Sequence, residues 1–150
     1  MTGLSFKVEN KYDNYLNKIF DTIDVENYNW DIVTDDIFEG NNEKSGLFHT
    51  DKVTGKEFKK IIANENYYMI FVDLKAYPVD SIHSKVESYE DYINGNCQII
   101  LLCIDSVNIY FYCKNESVLK KVYNNCIING FSSVEHVASD DAVKLGVIAF

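Results

Sequence analysis

Residues 67–113 constrain what this chain can fold into more than any other stretch. They read YYMIFVDLKAYP, then a helical piece, then CQIILLCIDSVNIYFYC. The only proline and three of the four cysteines fall inside them. In residues 67–74, Tyr68, Ile70, Val72 and Leu74 alternate with Tyr67, Met69, Phe71 and Asp73, so both faces are largely apolar. A strand that is apolar on both faces is covered on both, which places it inside a sheet. Residues 98–104 and 107–113 read as a hairpin closed by Asp105-Ser106. A two-residue loop sets Ile104 opposite Val107, Leu102 opposite Ile109 and Ile100 opposite Phe111. Tyr110 and Tyr112 then share the other face with Ile99, Leu101 and Cys103.

The flanking segments supply further strands and the helices. Residues 4–8 alternate apolar and polar, as a half-buried strand does. Asn10 is placed to cap a helix over 11–21, whose face carries Tyr12, Tyr15, Leu16, Ile19 and Phe20. Residues 28–33 alternate again, followed by a turn at Thr34-Asp35-Asp36 into Ile37-Phe38-Glu39. Thr54 and Glu57 have capping-box spacing and open a helix with Phe58, Ile61 and Ile62 on its apolar face. Pro78 forces an extended or turning path at Tyr77. Ser88 caps a short helix stopped by Gly95. Asn115 caps a helix over 116–129, and strands follow at 134–138 and 145–150. Strand 107–113, helix 116–129 and strand 134–138 read as one βαβ unit. The expected fold is α+β, one globular domain over 1–150. It has a mixed, mainly antiparallel sheet of about 6–8 strands with about 3–4 helices packed on it, including the C-terminal βαβ unit.

Charge narrows the function classes. The net charge is −9, and all 14 basic residues are lysine. Arginine supplies the bidentate fork for phosphates and guanine edges, so an acidic chain without it is not expected to bind nucleic acid. The four cysteines form no C-x-x-C pair and sit in apolar runs. They read as buried thiols in a reducing compartment, with no disulfides. No run reaches the roughly 18–20 apolar residues a membrane span needs, and Met1 leads straight into a strand pattern, so a cytoplasmic location is expected.

No glycine-rich phosphate loop, nucleophile elbow or H-E-x-x-H occurs, so no catalytic residue and no cofactor is assigned. Two features remain. Between residues 24 and 43 lie seven acidic residues and no basic one. Such a run is either a solvated face or a docking surface for a basic partner. The docking version uses Asp24, Glu26, Asp31, Asp35, Asp36 and Glu39, with Tyr28 and Trp30 as aromatic contacts. The second feature is Asp73-Leu74-Lys75 at the end of the interior strand. A carboxylate and a lysine two apart share a strand face, the arrangement in which an acid binds Mg²⁺ and a lysine steadies the attacking water.

Gly3-Leu4-Ser5-Phe6, Tyr28-Asn29-Trp30, the run from Asn66 through Pro78, and Tyr123-Asn124-Asn125 before Gly130-Phe131 resemble a family of small cytosolic proteins from Bacillota. It is catalogued as a domain of unknown function, family 2691. The resemblance covers nearly the whole chain and implies a bacterial single-domain protein. It carries no activity over to any residue. The expectation is a non-enzymatic protein-binding module, of immunity or antitoxin type, with an acidic surface in residues 24–43. The alternative is a metal-dependent nuclease or hydrolase using Asp73 and Lys75.

Overall fold

The computed structural model of the protein describes residues 3–40 and 46–137. Chain order is β1 (Gly3–Lys7), α1 (Tyr15–Phe20), a 3-10 turn (Val25–Asn27), β2 (Tyr28–Glu39), β3 (Lys52–Thr54), α2 (Gly55–Ile62), β4 (Tyr67–Pro78), α3 (Tyr89–Asn94), β5 (Ile99–Ile104), β6 (Asn108–Cys113), α4 (Glu116–Ile128) and β7 (Ser132–Val137). The seven strands form one sheet in the order β3-β2-β4-β5-β6-β1-β7, so the chain is an α+β fold with β4 and β5 inside it. Every ladder among the described residues is antiparallel, so no parallel ladder makes the sheet mixed. The C-terminal strand–helix–strand unit explains why. β6 and β7 both pair with β1, so they run parallel to each other with β1 between them. The strand expected at 145–150 lies outside the described residues.

The two faces of the sheet are built differently. Helices α1, α2 and α4 cover the first, over Trp30, Val72, Leu74, Ile99, Leu101, Ile109 and Phe111. Trp30 stacks on Phe58 of α2 at 3.9 Å, and Phe20 meets both rings edge-on at 5.4 and 5.7 Å. The indole N–H donates to the Val25 carbonyl at 3.1 Å, so this large ring is buried with its polar atom satisfied. A strap, residues 79–98 including α3, covers the second face over Tyr77, Ile100, Leu102 and Tyr112.

Four local expectations are corrected. The first helix begins at Tyr15, not Lys11. Asp13 donates its N–H to the Tyr67 carbonyl at 3.0 Å as an isolated bridge, and this pairing holds the chain extended before Tyr15. The helix is not capped by Asn10; the Tyr67 hydroxyl accepts from Leu16 N–H at 3.0 Å and donates to the Ile62 carbonyl at 2.9 Å. Thr34-Asp35-Asp36 is not a turn either. β2 runs through it, with register shifts at 32/34 and 36/37 that absorb the break in alternation as bulges. Finally, the β5–β6 loop has three residues, so Ile104 faces Asn108, Leu102 faces Tyr110 and Ile100 faces Tyr112. A one-residue slip moves every side chain to the other face. Tyr110 and Tyr112 therefore join Ile100 and Leu102, not Leu101 and Cys103.

Candidate functional site

The polar groups of the second face converge on β2 and β4. Asp73 and Lys75 point the same way from β4, and Lys75 Nζ donates to Asp73 Oδ1 at 2.5 Å. They are 1% and 4% exposed. Asp31 lies directly opposite Lys75 in the β2–β4 ladder, hence on the same face. Its Oδ1 takes two further partners: Lys52 Nζ of the edge strand at 3.0 Å and His83 Nδ1 of the strap at 2.7 Å. An ionised carboxylate only accepts, so the contact places a proton on His83 Nδ1. The His83 ring stacks on Tyr77 at 4.1 Å, and the Tyr77 hydroxyl donates to the Ser84 carbonyl at 2.7 Å. One carboxylate thus ties β2 to β3 and to the strap, above a buried ion pair.

The thiol and the phenols packed here are held in their neutral form by burial. Burial pushes the Cys97 thiol up to about 11, against the pull of Lys75 and Lys114. It also raises the Tyr77 and Tyr92 phenols well above their ordinary value. Lys114 Nζ sits 4.8 Å over the Tyr92 ring and donates to the Gly95 carbonyl at 2.8 Å, and burial lowers its pKa. A thiol protonated at neutral pH is a weak nucleophile. All four cysteines are free and buried. Among the described residues, no three His, Cys, Asp or Glu side chains converge as metal ligands.

The acidic run is dispersed. Trp30 is 0% exposed and belongs to the first core, so it is no surface aromatic, and Tyr28 is half-buried against that core. Glu26 pairs with Lys59 at 2.9 Å. Asp31 is the hub just described. Asp35 accepts the Leu47 and Phe48 N–H groups at 2.8 and 2.7 Å, fixing the loop beside β2. Asp24, Asp36 and Glu39 carry no ion pair or side-chain hydrogen bond among the described residues, and all three have solvent access. Asp36 faces the strap side, opposite Phe71, whereas Glu39 points to the helix side, opposite Tyr67. Folding therefore splits the run over both faces of β2.

The match to known proteins follows nearly the whole chain. The model of a family described as protein of unknown function (DUF2691) matches residues 1–146. The chain belongs to this family. An uncharacterised protein, YncE, from Bacillus subtilis (strain 168) is 32% identical over 145 residues, covering 95% of each chain. No solved structure matches. Among the described residues no helix is long and apolar enough to cross a membrane.

Sequence patterns missed the role of His83. It stands alone in a polar loop, 52 residues from Asp31, and only the pairing of β2 with β4 brings the two together. Lys52 was equally hidden, because a three-residue edge strand is too short to show alternation.

Proposed function

We propose that this protein is a non-enzymatic protein-binding module, of immunity or antitoxin type, whose partner is basic. One observation supports the reading most. The groups that chemistry would need are consumed by the fold, while acids without internal partners remain in contact with solvent. Asp73 is bonded to Lys75 and almost fully enclosed, so it is a poor Mg²⁺ ligand as it stands. Among the described residues of the stretch 24–43 the contributing acids are Asp24, Asp36 and Glu39. Glu26, Asp31 and Asp35 serve internal pairs and caps. An excess of acidic charge steers a basic partner and is screened by salt.

The test is affinity capture from the native host at low and high salt. The bait is compared with the triple variant Asp24→Lys, Asp36→Lys, Glu39→Lys. The expected result is a basic protein retained at low salt, released at high salt, and lost from the triple variant. Retention of nothing at low salt, or equal retention by the variant, contradicts the reading.

A further inference from the structure

We infer that the strap presents Ile82 as an apolar anchor to a pocket on a basic partner protein. This rests on the partner-binding reading above and adds to the acids named there a contact on the strap. Ile82 is 92% exposed, Val79 49% and Ile93 48%. Scattered exposed apolar side chains are ordinary. Ile82 differs because the chain around it is fixed on both sides.

Ser81 Oγ donates to the Pro78 carbonyl at 2.6 Å. The Ile82 carbonyl itself accepts from Asn96 Nδ2 at 2.7 Å. His83 is stacked on Tyr77 and bonded to Asp31. Ser84 donates its N–H to Asn96 Oδ1 at 3.0 Å, accepts the Asn96 N–H on its hydroxyl at 3.0 Å, and accepts the Tyr77 hydroxyl on its carbonyl at 2.7 Å. Asn96 thus locks the loop to the end of α3, where Ile93 is also exposed. Gly95 permits the approach: a Cβ there would lie 2.3 Å from Ser84 Oγ. The backbone on both sides of Ile82 is already ordered, so seating the residue in a partner's pocket does not incur the cost of ordering the loop.

Charge selects the partner. Asp80, Glu87, Glu90 and Asp91 surround the anchor in sequence and are exposed. Lys85 is the one cation of residues 79–95, and it is paired with Glu87 at 2.8 Å. An apolar residue among excess acids fits an apolar pocket rimmed by lysine or arginine.

The experiment places a benzophenone-bearing amino acid at Val79 of the full chain and irradiates the native host. A second chain carries the probe at Ile128, an exposed isoleucine far along the sequence, as control. We expect a crosslink from Val79 and not from Ile128, to a basic protein at a peptide containing lysine or arginine. Adding Ile82→Asp should cut the yield about tenfold or more. Asp80→Lys with Asp91→Lys should also reduce it. Thermal unfolding should be unchanged in Ile82→Asp, because the side chain packs on nothing. No crosslink from Val79, an unchanged yield in Ile82→Asp, or a crosslink to a second copy of this chain or to lipid overturns the inference. If Ile82→Asp still retains the partner in affinity capture, the surface is wrong while the partner reading stands. If wild type captures no basic protein, the reading itself fails, and the inference with it.

Discussion

The first face of the sheet is closed by three helices over an aromatic core in which Trp30 stacks on Phe58 and Phe20 meets both edge-on. The second is closed by a strap over an ion pair, with an apolar cluster of Val86, Ile100 and Leu102 set among three phenols and a thiol, and hydrogen bonds from Tyr77 to Ser84 and between His83 and Asp31 tie the strap to the sheet. Apolar burial stabilises without regard to direction, whereas a buried polar group stabilises only when its partner is in place. The first face therefore carries most of the stability. The second carries geometry: it fixes a short loop in one conformation and turns an isoleucine outward. Tyr92 shows the limit of that arrangement, since its hydroxyl is enclosed without a hydrogen-bond partner among the described residues.

The largest test of this contrast is alkaline pH, because both faces bury acids in their neutral form. Burial raises Cys103 and Cys126 on the first face to about 12 and Cys97 on the second to about 11, from the ordinary thiol value of 9.0. It raises Tyr67, Tyr77 and Tyr92 above 10.0. A pKa raised in the folded state gives stability that is complete below the unfolded value and is lost as pH climbs through the folded one. The urea midpoint should be insensitive to these groups up to about pH 9 and fall steeply above it. If the faces differ as argued, Cys97 will become reactive to a disulfide reagent at a lower pH than Cys103 does.

Trp30→Ala should cost about 3–5 kcal/mol, because it empties the centre of the helix-covered core. Denaturant unfolding measures this, and a loss below about 1 kcal/mol would mean that the first face is not the stability centre. On the second face, Lys75→Met should cost about 3–5 kcal/mol by removing the cation bonded to the buried Asp73 carboxylate. The double variant Asp73→Leu, Lys75→Met should recover most of that loss, since a buried ion pair is often no more stable than apolar residues of similar volume. A double variant as unstable as the single one would show that the pair does more than neutralise itself. Gly95→Ala should cost about 1–3 kcal/mol through overpacking. Its Cβ would meet Ser84 Oγ at 2.3 Å and the Asp91 carbonyl at 2.9 Å. Hydrogen exchange should speed up in residues 79–88 and stay unchanged in α2.

The helix-covered face was the more legible one in the sequence. The β4 pattern, the Asn115 cap of α4 and the Thr54–Glu57 capping box all rest on neighbours within a turn or a pleat, and the structure has each of them. What stayed hidden depended on long-range pairing. Nothing local distinguishes Tyr67 as the cap of α1, 51 residues away. The loop at 105–107 differs by one residue from the expected turn, and that one residue exchanged the faces of Tyr110 and Tyr112. The acidic run was visible as composition, but its dispersal follows from β2 continuing through a stretch that reads as a turn. Membership of the family was legible from the run ending at Pro78. A site was not, because the polar residues of the second face come from separate strands and the strap.

The central claim is that the buried polar residues of the second face belong to the scaffold and that the surface above them does the binding. The Val79 photo-crosslink measured in two variants tests it most directly. The account predicts that Asp73→Leu, Lys75→Met folds and keeps the crosslinked partner, while Ile82→Asp folds and loses it. A folded Asp73→Leu, Lys75→Met variant that loses the partner, beside an Ile82→Asp variant that keeps it, would contradict the account and return the function to Asp73 and Lys75.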